Sequence, residues 1–162
     1  DTDRSRGLGD VYKRQKMINS GRYVNDSMGR YIGKKVVKKI ISQGKNILGA
    51  HVLVMGMTFK ENVSDIRNSK VADIINEFKD FGAEVDVMDP FASPLEVLQE
   101  YGIRLVERPG KKYDAVVVAV AHTTYLKLDE SYFMSITNEH AVLADVKGVY
   151  RGSIHQMIYW SL

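Results

Sequence analysis

Lys60 and Lys147 stand where a cation is hardest to explain by folding alone. Each follows an apolar run, "HVLVMGM" (residues 51–57) in one case and "HAVLADV" (140–146) in the other. Such a run reads as a parallel strand covered on both faces. Two ammonium groups past such strands can neutralise phosphates, helped by free amides at the start of a helix near Ser69. Phe59, beside Lys60, can stack on a base or a sugar, or else fill the core. Asp89 ends another apolar stretch, where an acid accepts ribose hydroxyls or, standing before Pro90, only stops the strand. His122 ends a third, where it can form a hydrogen bond, and nothing marks it as catalytic. Asp65 and Arg67 are spaced to pair, and shaping the loop between strand and helix ranks above ligand contact for both.

These residues share a site only if the strands that carry them lie side by side. The periodicity from residue 47 onward predicts that they do. After "HVLVMGM" comes the amphipathic helix "SKVADIINEFKDFG", with Ser69 as its cap and Gly82 past its end. Then follow the strand "EVDVMD", the helix "SPLEVLQEYG", a third, edge-like strand "IRLVE", the most apolar strand "YDAVVVAVA", a short helix at "YFMSI" and the strand "HAVLADV". Right-handed crossovers make this an α/β, Rossmann-like, doubly wound parallel sheet of order 3-2-1-4-5. In such a sheet the ligand crevice opens at the carboxyl ends of the strands, so Phe59, Lys60, Asp89, His122 and Lys147 fall on one edge. The turn after the first strand has no G-x-G-x-x-G. Asp89 trails Gly56 by 33 positions, against about 20 in the dinucleotide fingerprint. The pattern is a variant that takes a phosphate-bearing ligand.

Residues 25–43, "NDSMGRYIGKKVVKKIISQ", form a helix with apolar Met28, Ile32, Val36, Val37, Ile40 and Ile41 on one face. Asn25 or Asp26 can cap its start, and Gly44 suits its end. Residues 16–46 hold eight Lys or Arg against Asp26 alone, whereas residues 47–162 hold eleven against sixteen acids. The lysine run therefore reads as a solvated helix face, and the acidic remainder argues against a nucleic-acid partner. No apolar run approaches the roughly 20 residues of a membrane span, so no membrane partner is expected and the cytoplasm is the expected location. The absence of cysteine rules out disulfides, thiolate metal sites and a cysteine nucleophile in this chain. The histidines lack metal-ligand spacing, and no metal site is expected.

The opening "DTDRSRGLGDVYKRQ" has no apolar period. "DVYKRQ" is what GAT-GTG-TAT-AAG-AGA-CAG encodes, which resembles the end of a transposon adapter used in sequencing libraries. Residues 1–15 are accordingly expected to be an adapter artefact without regular structure, preceding a piece of a longer protein. The expected division is 1–15 as artefact, 16–46 as the end of a central helical domain, and 47–162 as the nucleotide-binding domain.

"GMTFKENVSDIRNSKVADII" resembles the G-x-x-F-K-x-x-x-x-D-x-R-x-S segment of the UDP-glucose/GDP-mannose dehydrogenase family, at the start of its C-terminal UDP-sugar-binding domain. "GRYVNDSMGRYIGKKVV" is similar to the end of that family's central, dimerisation domain, and "EVDVMDP", "YDAVVVAVAH" and "LADVKGVY" match later strands in order. The resemblance covers residues 16–162. It implies that Phe59 and Lys60 contact a UDP-sugar, that Lys147 reaches the sugar or diphosphate, and that Asp65 and Arg67 shape the loop. "AVAH" and "DVKGVY" lean toward the branch acting on UDP-N-acetylhexosamines for surface polysaccharides. The family oxidises the C6 hydroxyl to a carboxylate in two NAD-dependent steps through a catalytic cysteine. The resemblance implies a homodimeric full-length enzyme whose NAD is held by another domain; that cysteine and the NAD fingerprint are missing here, so the fragment is expected to be inactive alone. The alternative function is a stand-alone nucleotide-binding regulatory module.

Overall fold

The computed structural model describes the backbone of residues 4–162, and side chains at 13–17 and 26–162. The first element, α1, is one helix of 39 residues, Arg4–Ser42. It runs through residues 25 and 26, so neither caps a start; Asp26 instead pairs with Lys70 at 2.7 Å. The expectation of no regular structure before residue 16 is corrected at the backbone from Arg4 onward. Extending a formed helix costs far less than nucleating one, so a segment with no apolar period of its own can continue it. The end is as expected: Gly44 takes φ +75°, which stops the helix.

Five parallel strands follow: β1 (His51–Met55), β2 (Glu84–Met88), β3 (Tyr113–Val118), β4 (Thr137–Asp145) and β5 (Ile158–Ser161). Their spatial order is β2-β1-β3-β4-β5. The helices are α2 (Val71–Asp80), α3 (Pro94–Tyr101) and α4 (Glu130–Ser135), with a 3-10 turn at Tyr125–Lys127. The doubly wound α/β class holds. Two features of the expected order are corrected. "IRLVE" is no strand but a single parallel bridge, Leu105 to Val87. Pro109 and Gly110 follow it closely, and little apolar surface is left to hold a longer edge. On the other edge β5 extends the sheet beyond β4, with Val142 opposite Ile158 and Asp145 opposite Ser161.

Alternation along the strands splits the core in two. Val52, Val54, Ala115, Val117, Val142 and Ala144 point to the face covered by α1 and α2, where Val36, Ile40, Ile75 and Phe78 are buried. Leu53, Met55, Val116, Val118 and Leu143 point to the other face, against Tyr113, Tyr125, Phe133 and Tyr150. From Met28 onward α1 is thus part of this core and not a separate appendage. Two glycines let it approach α2. A Cβ on Gly29 would lie 2.9 Å from the Lys70 carbonyl oxygen, and one on Gly33 would lie 2.7 Å from the Glu77 Cβ.

Candidate functional site

The chain leaves β1 through Gly56, whose φ is +98°. Any Cβ there would stand 2.5 Å from the Cβ of Val120, so only glycine lets β1 cross so close to the segment after β3. The Gly56 N–H donates to the Met88 carbonyl at 2.8 Å, joining the ends of β1 and β2. Beyond it Asp89 takes over. Its Oδ2 accepts from the Met57 N–H at 2.6 Å and the Thr58 N–H at 3.1 Å, and its Oδ1 from the N–H groups of Phe91 and Ala92 at 2.7 and 3.0 Å. His122 Nε2 completes the set at 2.9 Å from Oδ2.

The side chains of Asp89 and His122 are fully buried. Burial alone would push the Asp89 carboxyl up. The hydrogen bond from His122 and those from the backbone outweigh it and hold the group at about 2. A carboxylate with both oxygens engaged has none left for ribose hydroxyls. Asp89 and His122 therefore build the floor of the crevice, whereas the other residues named for this edge present atoms to solvent.

Phe59 is 59% exposed and so is not core. Lys60 is exposed beside it, and its ammonium has no ion-pair partner among the described residues. The next residue, Glu61, lies 3.8 Å from the Lys147 ammonium, which brings the loop after β1 and the turn after β4 to one place. That turn is tied down by Asp145, whose Oδ2 accepts from the Tyr150 N–H and the Tyr159 hydroxyl, both at 2.7 Å. Asp65 and Arg67 pair as their spacing predicts: Nε reaches Oδ1 and an outer guanidinium nitrogen reaches Oδ2, both at 3.0 Å. Those bonds draw the Asp65 carboxyl down to about 2 and push the Arg67 guanidinium up.

Two clefts flank this edge. The larger, about 500 Å³, lies between the Asp65–Arg67 pair and α3, with Glu96 and Glu100 in its lining. The smaller, about 290 Å³, opens at the ends of β1 and β2 and is lined by Met55, Met88, Tyr125 and Tyr132 among others, with the acids Asp89 and Glu107 also in its wall. The order β2-β1-β3 puts the switch point between β1 and β3, and the smaller cleft reaches that side through Met55, Thr124 and Tyr125, whereas Phe59, Lys60 and Lys147 line neither cleft. No group of three or more His, Cys, Asp or Glu among the described residues is placed to hold a metal, and no described helix is long and apolar enough to cross a membrane.

Several residues of this edge escaped the sequence reading. Thr58, Asn62 and Thr123 knit the loop to the segment after β3. Phe91, 37% exposed, lies with its ring centroid 4.7 Å from that of His122. The one advance signal was at Asn62, whose φ of +60° suits asparagine better than most residues.

Residues 53–152 match the family described as the UDP-glucose/GDP-mannose dehydrogenase family, UDP binding domain. The chain is 38% identical over 149 residues to the UDP-N-acetyl-D-glucosamine 6-dehydrogenase of Salmonella typhi, covering 91% of this chain and 34% of that protein. It is also 38% identical over 133 residues to the same-named enzyme of Pseudomonas aeruginosa, covering 82% of this chain and 32% of that protein. A solved structure of the UDP-N-acetyl-mannosamine dehydrogenase Cap5O from S. aureus superposes with a TM-score of 0.73 at 25% identity, covering 92% of this chain and 33% of that one. The chain thus spans about a third of the length of the relatives it matches.

Proposed function

The chain belongs to the UDP-glucose/GDP-mannose dehydrogenase family through its UDP-binding domain, and on that premise we propose that it is the UDP-sugar-binding part of a nucleotide-sugar 6-dehydrogenase. The observation that carries this reading is the edge on which exposed Phe59 and Lys60 sit within two residues of the Glu61–Lys147 contact. Two ammonium groups at the ends of β1 and β4 suit a diphosphate, and an exposed aromatic beside one of them suits a sugar or base. The sugar is a UDP-N-acetylhexosamine, in keeping with relatives named for UDP-N-acetyl-D-glucosamine, and the product is the corresponding uronic acid for surface polysaccharide. The relatives reported above are dehydrogenases, so a stand-alone regulatory module is not favoured.

NAD does not fit the residues present here. The turn between β1 and α2 has no glycine after Gly56, so it lacks the bare backbone that a pyrophosphate approaches in the dinucleotide fingerprint. Hydride transfer and the cysteine chemistry are assigned to a part of the enzyme outside this chain, with residues 16–46 as the end of a central helical domain and the whole enzyme a cytoplasmic homodimer. Calorimetric titration of the chain with UDP, a UDP-N-acetylhexosamine and NAD tests the reading. Both uridine ligands should bind and NAD should bind much more weakly; NAD binding tighter than UDP overturns the assignment.

A further inference from the structure

The hydrogen bonds around His122 allow one tautomer only. The Asn62 N–H donates to Nδ1 at 3.0 Å, so Nδ1 carries no proton. The proton is on Nε2, which faces Asp89 Oδ2 at 2.9 Å and Thr58 Oγ1 at 3.3 Å. Thr58 spends its single hydroxyl proton on the Lys60 carbonyl at 2.9 Å and so can only accept from the imidazole. The Asn62 side chain closes the circuit, donating to Thr123 Oγ1 at 2.7 Å and accepting the Thr123 N–H at 2.9 Å. The backbone on both sides of Lys60 is thereby fastened to a fully buried ring.

We propose that His122 is a positioning residue: its neutral, Nε2-protonated imidazole latches residues 58–62 and so sets where Lys60 meets the nucleotide. The importance of Lys60 rests on the proposed function, while the latch itself does not. A second proton has no place on this ring, because Nδ1–H would confront the Asn62 N–H. The groups facing the ring are Asp89 from the end of β2, Thr58 and Asn62 from the loop, Phe91 over one face and Tyr125 at the edge. Asp89 is the one charged group among them, and burial keeps the Tyr125 phenol above its ordinary range.

Nitrogen NMR of the imidazole and amide exchange at Asn62, on the whole chain without ligand, test the latch directly. The expected result is the Nε2–H tautomer with Asn62 protected, and protection lost in His122→Phe. His122→Asn places an oxygen near the position of Nδ1, so it should keep protection. An Nδ1–H tautomer, or equal Asn62 protection in wild type and His122→Phe, overturns the proposal. UDP titration then follows the consequence. His122→Phe should bind roughly five- to ten-fold more weakly, the effect of one lost hydrogen bond, with His122→Asn restoring affinity. Unchanged affinity in His122→Phe while Lys60→Ala binds weakly also overturns it. Should wild type and Lys60→Ala bind UDP equally, the functional reading fails, and the exchange data still decide the latch.

Discussion

Lys60 and Asp89 sit near each other, one exposed and the other buried, and substitution should affect them in opposite ways. Lys60→Ala removes a charge-assisted hydrogen bond of the kind worth about 1.5–3 kcal/mol. UDP-sugar binding should weaken roughly ten- to a hundred-fold, with melting temperature almost unchanged because the side chain is exposed. Lys79, in the last turn of α2, is the control; equal affinities for Lys60→Ala and Lys79→Ala would sink the assignment. Asp89→Asn should instead act on stability. Its carboxyl sits near 2, below its ordinary value, so the ionised form is favoured by folding. The stabilisation is complete above the unfolded value near 4 and is lost as pH falls through the window from about 4 to 2. A shift of that size corresponds to roughly 2 kcal/mol, and denaturant titrations of Asp89→Asn across that window should show a correspondingly flatter acid limb. The exposure of the two lysines past their strands was legible in the sequence, because a cation soon after a buried strand has little to do in a core. The saturation of Asp89 was not, since its partners Met57 and His122 are 32 and 33 positions away and only the sheet brings them in.

Among the elements, the ones that were legible have strong period and clear ends. Ser93 caps α3 by accepting the Glu96 N–H, and Gly102 ends it at φ +67°, both readable from residue type. β1 and β3 declared themselves by the apolar runs at residues 52–55 and 115–118. β5 did not: four residues, all half-buried, carry no period that separates them from a loop, and their register comes from β4. The start of α1 was hidden for a different reason, because helix propagation needs no apolar face. The seam between α1 and α2 is where the elements depend most sharply on single residues. Gly29→Ala puts a methyl 2.9 Å from a backbone oxygen of α2 that cannot rotate away. Overpacking of this kind costs about 1–3 kcal/mol, which is the expected fall in unfolding free energy. Gly44→Ala, with nothing within 4 Å of the added methyl, should cost less and only through its positive φ. A smaller loss at Gly29 than at Gly44 would mean that α1 does not seat on α2 as described.

For the whole molecule, the question is how much of α1 the fold requires. Among residues 1–15 the described side chains are Lys13, Arg14 and Gln15, all exposed, and among the described residues the apolar core begins at Met28. Removing residues 1–15 should therefore leave the melting temperature unchanged within error. Removing residues 1–42 takes away Ile32, Val36, Val37 and Ile40, each at most 4% exposed. Burying an aliphatic side chain of this kind contributes about 1.5–3 kcal/mol, so the four together contribute roughly 6–12 kcal/mol. A domain is typically stable by only about 5–15 kcal/mol. The longer deletion should consequently unfold the protein or leave it marginal, with Ile75 and Phe78 of α2 uncovered. Thermal melts and near-ultraviolet circular dichroism of the two truncations test this together. A drop of several degrees on losing residues 1–15 would mean that this segment packs, since about 1 kcal/mol moves the midpoint by roughly 2–4 °C in a chain of this size. A cooperative, wild-type melt after losing residues 1–42 would mean that the sheet and its own helices suffice. The boundary at residue 46 would then divide two independent units, and not one core that α1 and α2 share.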